Sequence, residues 1–179
     1  MYKKKPLLIV FEGIEGCGKS YQSKKLLLNL KKKKISAIIT REPGGTNSAE
    51  LIRTLILKDY FRKGIKDKFD RYTDTLLYLA ARNEHIKNKI KPALKKKKVV
   101  ICDRFIDSTI AYQHFGMGIN LDIIKKINNH ILKSFKVDFT FLSIVNVKNM
   151  QKRLKQRKKL NRYDTFNKKF YKKVQNGFL

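Results

Sequence analysis

Leu7–Phe11 (LLIVF), followed by Glu12 and by Gly13–Ser20 (GIEGCGKS), is the stretch that decides the fold. The five apolar residues are typical of a strand that is buried on both faces of a parallel sheet. The glycine-rich segment fits the pattern G-x-x-x-x-G-K-[ST], and apolar residues at helical spacing follow it within Ser20–Leu30. Strand, glycine-rich loop and helix in this order predict a phosphate-binding loop.

The loop residues predict a nucleotide site with a defined chemistry. Glycines allow successive backbone N–H groups to wrap a phosphate, and the following helix presents its positive end. Lys19 can reach the β- and γ-phosphates, and the hydroxyl of Ser20 can ligate magnesium. We therefore expect the whole loop to bind the nucleotide: Gly13, Ile14, Glu15, Gly16, Cys17, Gly18, Lys19 and Ser20.

Apolar runs alternate with helical patterns along the rest of the chain. Further strands are predicted at Ile35–Thr40, Val99–Cys102 and Asp138–Val145. The predicted helices are Ser20–Leu30, Ser48–Leu57, Thr73–Lys91 up to Pro92, Asp107–His114, Leu121–Phe135 and helical segments within Lys148–Leu179. This order predicts an α/β fold over residues 1–179 as a single domain, with a central parallel sheet and helices on both faces. Ligands are expected at the carboxyl ends of the strands.

Composition excludes several classes of protein. The 42% apolar content argues against disorder, and no apolar run approaches the ~18 residues of a membrane span. Two cysteines are too few for a disulfide framework and fit a reducing cytoplasm. The net charge of +29, from 43 basic and 14 acidic residues, favours anionic partners. Binding to nucleic acid therefore stays open, although most lysine runs are expected to be solvated element ends.

Two further loops follow predicted strands at the same edge of the sheet. They are Thr40–Thr46 (TREPGGT) and Cys102–Asp107 (CDRFID). Either one alone could be a capped turn with a surface ion pair. Their position beside the phosphate-binding loop instead favours a shared site, because arginine forks suit phosphate oxygens. Arginines recur on the following segments at Arg53, Arg82, Arg153, Arg157 and Arg162.

These residues resemble bacterial thymidylate kinase, an enzyme family that phosphorylates dTMP to dTDP with ATP. The resemblance extends from Leu7 to Gly177. Five blocks agree in order: the phosphate-binding loop, Thr40–Thr46, Ala49–Arg53, Leu77–Arg82 with His85, and Asp103–Ser108 with Ala111–Gln113. The resemblance implies the three-layer fold of the P-loop nucleoside monophosphate kinases, ATP and Mg²⁺ as ligands, and a homodimer, while the cytoplasmic location is expected from the cysteine count.

The resemblance also implies roles for the acceptor-site residues. Arg53 and Arg104 match the residues that hold the dTMP phosphate, and Glu15 matches the loop carboxylate that faces the acceptor sugar. Tyr112 matches the tyrosine beneath the deoxyribose. The remaining acceptor positions are Arg41 and Glu42 in the covering loop, Tyr78 stacked on thymine, and Arg82, Thr109 and Gln113 at the base edge.

For catalysis, the resemblance implies a lid over residues 148–164 that supplies an arginine, with Arg153 and Arg157 as candidates. Asp103 is expected near the metal and the phosphates, so that Ser20 and Asp103 form the metal set. The implied catalytic residues are Lys19, Glu15, Asp103, Arg104, Arg153 and Arg157.

The chain departs from the family pattern in two places. Thr109 stands where family members often have serine, which keeps a hydroxyl. Tyr171–Leu179 resembles the start of a long helix that in the family leads to a fifth strand and a last helix. We therefore expect a C-terminally shortened chain that lacks this strand and helix, with consequences for ATP affinity and stability.

Three other functions remain open from the sequence. The first is another nucleoside monophosphate or deoxynucleoside kinase of the same fold. The second is a basic nucleic-acid-binding NTPase, which would show DNA- or RNA-stimulated ATP hydrolysis. The third is a catalytically inactive relative, which the presence of Lys19, Ser20, Asp103 and Arg104 disfavours.

Overall fold

A four-stranded parallel sheet forms the centre of the computed structural model, which describes residues 5–57, 69–133, 135–156 and 162–179. The strands are β1 (Leu8–Glu12), β2 (Ala37–Arg41), β3 (Val99–Asp103) and β4 (Phe139–Leu142), in the order β2-β3-β1-β4. All three strand pairings are parallel, with Ile9 aligned to Ile101 and to Phe139. The predicted parallel sheet is confirmed, although β4 is shorter than Asp138–Val145 because its pairing with β1 ends at Leu142.

Helices connect the strands. They are α1 (Lys19–Lys32), α2 (Asn47–Leu57), α3 (Arg71–His85), α4 (Lys91–Lys95), α5 (Ile106–Thr109), α6 (Leu121–Leu132), α7 (Val147–Lys155) and α8 (Lys168–Phe178). Two π-helical turns, Ile86–Ile90 and Ile110–Gly116, continue α3 and α5, and Arg162–Thr165 forms a 3₁₀ turn. No helix within the described ranges has both the length and the apolar character needed to cross a membrane.

The predicted helix end before Pro92 is wrong. The helical path continues from α3 through the π-helical turn Ile86–Ile90 into α4, which includes Pro92. Within that turn the N–H of Lys91 bonds to the carbonyl of Ile86, five residues earlier. Proline is tolerated because it lies in the first turn of α4, where a missing N–H costs little. Sequence reasoning treated Pro92 as a stop because a π-helical turn has no clear sequence signal.

Apolar side chains cover both faces of the sheet. On one face, Leu8 and Val100 pack with Ile86 and Ile90 of the helical segment that follows α3. On the other face, Phe11 and the neighbouring strand residues pack against the apolar stripe of α1. Each such buried aliphatic or aromatic side chain contributes about 1.5–3 kcal/mol. The result is the predicted three-layer arrangement of helix, sheet and helix.

A third apolar cluster lies beyond the carboxyl ends of the strands. In it, Phe170, Tyr171 and Val174 of α8 pack with Tyr112 of the second π-helical turn and with Met150 of α7. The carboxyl ends of β1, β2 and β3 therefore face this cluster at one edge of the sheet. They bring the loops Gly13–Ser20, Arg41–Thr46 and Arg104–Ser108 to one edge, as the sequence predicts.

Candidate active site

The loop after β1 has the backbone of a phosphate cradle. Gly13 has φ +133°, and a Cβ atom there would lie 2.3 Å from the carbonyl oxygen of Ser143. Only glycine fits this conformation and this close approach. At the other end of the loop, the Nζ atom of Lys19 donates to the carbonyl oxygens of Gly13 (2.9 Å) and Ile14 (2.8 Å). Burial, together with the nearby Arg104, lowers the pKa of Lys19.

Ser20 and Asp103 lie side by side at the start of α1 and the end of β3. The hydroxyl of Ser20 donates to Oδ2 of Asp103 over 2.6 Å. Among the described residues, no group of three or more His, Cys, Asp or Glu side chains could hold a metal ion. A hydroxyl and one carboxylate nevertheless suit Mg²⁺, which takes oxygen ligands and fills its remaining positions with water and substrate phosphates. The predicted metal pair thus fits magnesium.

Arg104 connects the phosphate-binding loop to a neighbouring aromatic pocket. It has φ +72°, a left-handed conformation that is uncommon for a residue with a side chain. Its guanidinium donates to the carbonyl of Gly13 (2.9 Å) and to Oε1 of Glu15 (2.8 Å), and lies 5.1 Å from the ring centre of Tyr112. The hydroxyl of Tyr112 donates to Oε2 of Glu15 in a short hydrogen bond.

These contacts keep Glu15 ionised although it is buried. Burial by itself opposes the charged form, but Arg104, Lys19 and the hydrogen bond from Tyr112 more than offset it, so the pKa of Glu15 is lowered. Lys19 of the phosphate-binding loop and Arg104 after β3 thus place two cations beside one carboxylate. The site can therefore bind anionic groups on either side of Glu15.

The loop after β2 is held by α2. Nη2 of Arg41 lies 3.1 Å from both carboxylate oxygens of Glu50, and Oε1 of Glu50 also accepts from the N–H of Gly45 (2.9 Å). Arg53 donates to the carbonyl of Pro43 (2.6 Å), which follows a cis peptide bond. Arg41 and Arg53 thus both border this loop. Glu50 organises it, a role that sequence reasoning missed.

Arg82 is buried at the back of the pocket, and its guanidinium makes four hydrogen bonds. Nε donates to Glu42 (2.8 Å), Nη1 to Asn128 (2.8 Å), and Nη2 to Thr109 and to the carbonyl of Phe105 (2.8 Å each). The family resemblance implies that Arg82 and Thr109 face the base edge of the acceptor, and the structure brings them together with Glu42. Sequence reasoning missed Asn128, since nothing in the sequence of α6 links that residue to α3.

His85 extends this buried network to β2. Its Nδ1 lies 3.1 Å from Glu42, and its Nε2 lies 2.7 Å from the hydroxyl of Thr40. The two helical neighbours Arg82 and His85 therefore both hold Glu42. By holding Glu42, Arg82 and His85 fix the start of the loop after β2.

Three tyrosine rings form the aromatic part of the pocket. Tyr163 stands edge-to-face to Tyr78, with ring centres 6.3 Å apart, and to Tyr112, with ring centres 5.6 Å apart. Nε2 of Gln113 lies 3.4 Å from the hydroxyl of Tyr163. Tyr78, Tyr112 and Gln113 were predicted, whereas Tyr163 was missed because it lies far along the chain from the others.

Most of these groups border one cleft of about 530 Å³, whereas Glu50, His85 and Asn128 lie behind its lining. The predicted residues that line it are Glu15, Gly16, Gly18, Lys19, Ser20, Arg41, Glu42, Arg53, Tyr78, Arg82, Asp103, Arg104, Thr109, Tyr112, Gln113 and Arg153. Arg153 reaches it from α7, where its Nη1 donates to the carbonyl of Gly16 (2.6 Å). Arg157, the other predicted lid arginine, lies outside the described residues.

Comparison with known proteins agrees with this geometry. The family model described as Thymidylate kinase matches residues 11–179. The chain belongs to the thymidylate kinase family. It is 43% identical over 175 residues to the thymidylate kinase of Wolbachia sp. subsp. Brugia malayi, covering 96% of this chain and 79% of the relative.

Other members of the thymidylate kinase family extend the agreement. The chain is 42% identical over 176 residues to the thymidylate kinase of Ureaplasma parvum serovar 3, which covers 96% of this chain and 74% of the relative. The crystal structure of thymidylate kinase from Ehrlichia chaffeensis superposes with a TM-score of 0.73 at 36% identity, covering 97% of this chain and 79% of the other. The predicted family and its α/β P-loop kinase fold are thereby confirmed.

One buried carboxylate of this family member was not singled out from the sequence. Glu12, at the end of β1, accepts from the N–H groups of Phe105 (2.7 Å) and Ser108 (3.2 Å) and from the hydroxyl of Ser108 (2.5 Å). It thus ties β1 to the segment that carries Arg104. Burial raises the pKa of Glu12, although these hydrogen bonds oppose the shift.

Proposed function

We propose that the chain transfers the γ-phosphoryl group of ATP to dTMP, giving dTDP and ADP. The observation that carries this proposal is the continuity of the cleft. The phosphate-binding loop at one end and the tyrosine-lined pocket at the other meet at Glu15 and Arg104, whose side chains are 2.8 Å apart. A donor phosphate and an acceptor phosphate can therefore meet beside the same arginine.

The donor side is assigned to the loop and its neighbours. The N–H groups of Gly13–Ser20 and the ammonium of Lys19 bind the ATP phosphates. Ser20 and Asp103 hold Mg²⁺, which when bound contributes positive charge against the phosphate oxygens. The buried position of Lys19 strengthens its attraction for phosphate, because the local dielectric is low.

The acceptor side is assigned to the aromatic pocket. Arg53 and Arg104 hold the dTMP phosphate, and Tyr112 lies beneath the deoxyribose with Glu15 facing the sugar. Tyr78 stacks on thymine, and the loop of Arg41 and Glu42 covers the site. The base edge is read by Arg82, Thr109 and Gln113.

Catalysis then rests on positioning and charge neutralisation. A phosphate monoester has a second pKa near ~6, so the acceptor is already mostly a dianion at neutral pH and needs no strong base. The barrier comes from bringing two anions together. Lys19, Arg104 and the lid arginines Arg153 and Arg157 lower it by cancelling charge as the phosphoryl group moves in line.

The assembly is assigned as a homodimer formed through α2 and α3. Leu51 and Leu55 on α2, and Tyr72 and Leu76 on α3, are exposed and lie one helical turn apart on their helices. These two helices pack against each other, so the four side chains place apolar surface on one helical pair. Exposed apolar surface of this kind is typical of protein interfaces. A second copy of the chain is its proposed partner.

The compartment is assigned as the cytoplasm. Cys17 and Cys102 are both free thiols, and Cys102 is fully buried at the end of β3. Free thiols persist in a reducing compartment. The cytoplasm is also where ATP is abundant.

An acceptor panel tests the function directly. Wild-type chain is assayed with ATP and Mg²⁺ against dTMP, dUMP, the ribose analogue of dTMP and the other nucleoside monophosphates. We expect dTMP to be the best acceptor and dUMP a poor one, since one methyl group in an apolar pocket is worth only ~1–3 kcal/mol. Efficient transfer to another monophosphate, or ATP hydrolysis stimulated by DNA or RNA, would establish the alternatives instead.

Lys19→Ala is the matched inactive control for this panel. Loss of the Lys19 side chain should reduce phosphoryl transfer to dTMP by at least about 10²-fold, because its ammonium group neutralises charge on the transferring phosphate. The fold should remain, since the alanine is compatible with the start of α1. Transfer at a rate near that of wild type in this variant would contradict the role of the loop.

A further inference from the structure

Asp74 is a fully buried carboxylate in the first turn of α3, one helical turn before Tyr78. Its two oxygens accept from Nη1 (2.8 Å) and Nη2 (3.1 Å) of Arg162 in a two-pronged ion pair. Oδ2 also accepts from the hydroxyl of Tyr163 over 3.3 Å. One carboxylate thus holds two consecutive residues that lie 88 and 89 positions after Asp74 in the sequence.

A buried charge in this position needs its partners. Burial raises the pKa of Asp74, and the ion pair with Arg162 and the hydrogen bond from Tyr163 oppose that shift. Removing one member of a buried ion pair leaves the other uncompensated, which is much more costly than losing an exposed pair. Arg162 is 28% exposed, so it can turn to solvent, whereas Asp74 cannot. Asp74 is the fixed member of the pair.

The segment that Asp74 holds forms a wall of the acceptor pocket. The ring of Tyr163 stands against Tyr78 and Tyr112, and its hydroxyl lies within 3.4 Å of Gln113. Its backbone carbonyl accepts from the hydroxyl of Tyr171 over 2.6 Å, which ties the other side of the segment to α8. These two contacts of Tyr163 come from outside the cleft, since neither Asp74 nor Tyr171 is among the residues that line it.

We propose that Asp74 is a positioning residue for acceptor binding: through Arg162 and the hydroxyl of Tyr163 it holds the Tyr163 ring beside Tyr78 and Gln113. The proposal rests on the assignment of this pocket to dTMP under Proposed function. Asp74 is not among the residues that line the cleft. Its loss should therefore weaken dTMP binding and leave ATP binding intact, because the phosphate-binding loop has separate supports.

The test compares Asp74→Asn, Arg162→Gln and the double variant with wild type. Asp74→Asn keeps the shape of the side chain and removes its charge. We expect the Kd and KM for dTMP to rise about tenfold in each single variant, with the KM for ATP within about twofold of wild type. The double variant should resemble the single ones, since residues that act through one contact are not additive.

Glu84→Gln is the matched control. Glu84 lies on the same helix and accepts from Asn88 over 2.9 Å, a contact that glutamine keeps. It should leave both KM values unchanged. Arg162→Lys, which keeps the charge without the fork, should fall between wild type and Arg162→Gln.

Calorimetric titration with dTMP separates the proposal from the function on which it rests. Wild-type chain that binds dTMP without phosphorylating it overturns the proposed function, while the variants still report on Asp74. Wild-type chain that binds no dTMP overturns both. Unchanged dTMP affinity in the variants, equal losses for dTMP and ATP, or additive effects overturn the role of Asp74. If Asp74→Asn does not fold, Arg162→Gln decides, because Arg162 is partly exposed.

Discussion

At the scale of single residues, Glu15 illustrates how a buried charge is stabilised by its neighbours. Its carboxylate accepts from Arg104 and from the hydroxyl of Tyr112, and the net effect is a lowered pKa. A carboxyl group with a lowered folded-state pKa contributes stability above its unfolded value of 4.5. That contribution is lost as the pH falls through the folded pKa.

Tyr112→Phe should make this linkage measurable. The substitution removes one hydrogen bond to the ionised carboxylate, which is worth about 1.5–3 kcal/mol, and raises the pKa of Glu15. The stability difference from wild type should be largest at neutral pH. It should shrink as the pH falls below 4.5 and disappear below the lowered folded pKa of Glu15, where the carboxyl group is protonated in both proteins.

The free energies of unfolding of wild type and Tyr112→Phe are measured by urea unfolding between pH 7 and pH 3. Tyr21→Phe is the control, because Tyr21 is 66% exposed and water can hydrogen-bond its hydroxyl. It should match wild type throughout. A stability gap for Tyr112→Phe that stays constant with pH would show that the hydroxyl does not act through the charge of Glu15.

At the scale of elements, α8 supports the acceptor pocket from behind. Phe170 stands edge-to-face to Tyr112 with ring centres 6.1 Å apart. A Cβ atom on Gly116 would lie 2.7 Å from the Phe170 ring, so the helix and the second π-helical turn are in close contact. The last helix of the described chain is therefore part of the wall around Tyr112.

Phe170→Ala should destabilise the fold and the pocket together. Loss of a buried phenylalanine costs about 3–5 kcal/mol, and the cavity frees Tyr112 to move. We expect a lower melting temperature and a higher KM for dTMP, with a smaller change for ATP. Thermal unfolding and steady-state kinetics measure the two effects.

The control for α8 is Phe115→Ala, since Phe115 is 44% exposed, unlike the buried Phe170, and lies on the same π-helical turn as Tyr112. It should change stability much less. If Phe170→Ala raises the two KM values equally, α8 supports the whole fold and has no particular connection with the acceptor pocket.

At the scale of the whole molecule, charge and apolar surface act on different partners. The +29 charge attracts polyanions at long range, and salt weakens that attraction. The exposed residues of α2 and α3 are apolar and suit a short-range contact between two copies. The proposed homodimer should therefore persist at high salt.

Leu51→Glu with Leu76→Glu should separate the dimer. These side chains are 72% and 53% exposed, so the single chain loses little packing when they change. Light scattering should give twice the 21.1 kDa of one chain for wild type and a single-chain mass for the double variant. A matched change on α1, Leu28→Glu, at another exposed leucine, should leave the mass unchanged.

Two results would contradict this assignment of the interface. If light scattering gives a single-chain mass for wild type, the protein is not a dimer. A double variant that stays dimeric would place the contact elsewhere on the surface.

Much of the fold and the donor site was predictable because the relevant signals are local. The apolar run of β1, the glycines after it and the helix that begins at Lys19 are adjacent in sequence, so spacing alone indicates a phosphate cradle. The ends of β2 and β3 lie at the same edge because parallel strands align their carboxyl ends. Arg41, Asp103 and Arg104 could therefore be placed near the loop.

The sequence by itself thus determined the parallel sheet, the nucleotide loop and the family motifs around it. Only the tertiary structure decided which side chains hold that site in place. Glu12 and Ser108, Arg82 and Asn128, and Asp74 and Arg162 pair across 46 to 96 positions of the chain. Buried polar groups need such partners, because a polar group without a hydrogen bond destabilises the folded protein more when it is buried than when water can reach it. Which partner satisfies each buried group depends on how the helices pack, and no local pattern in the sequence records that choice.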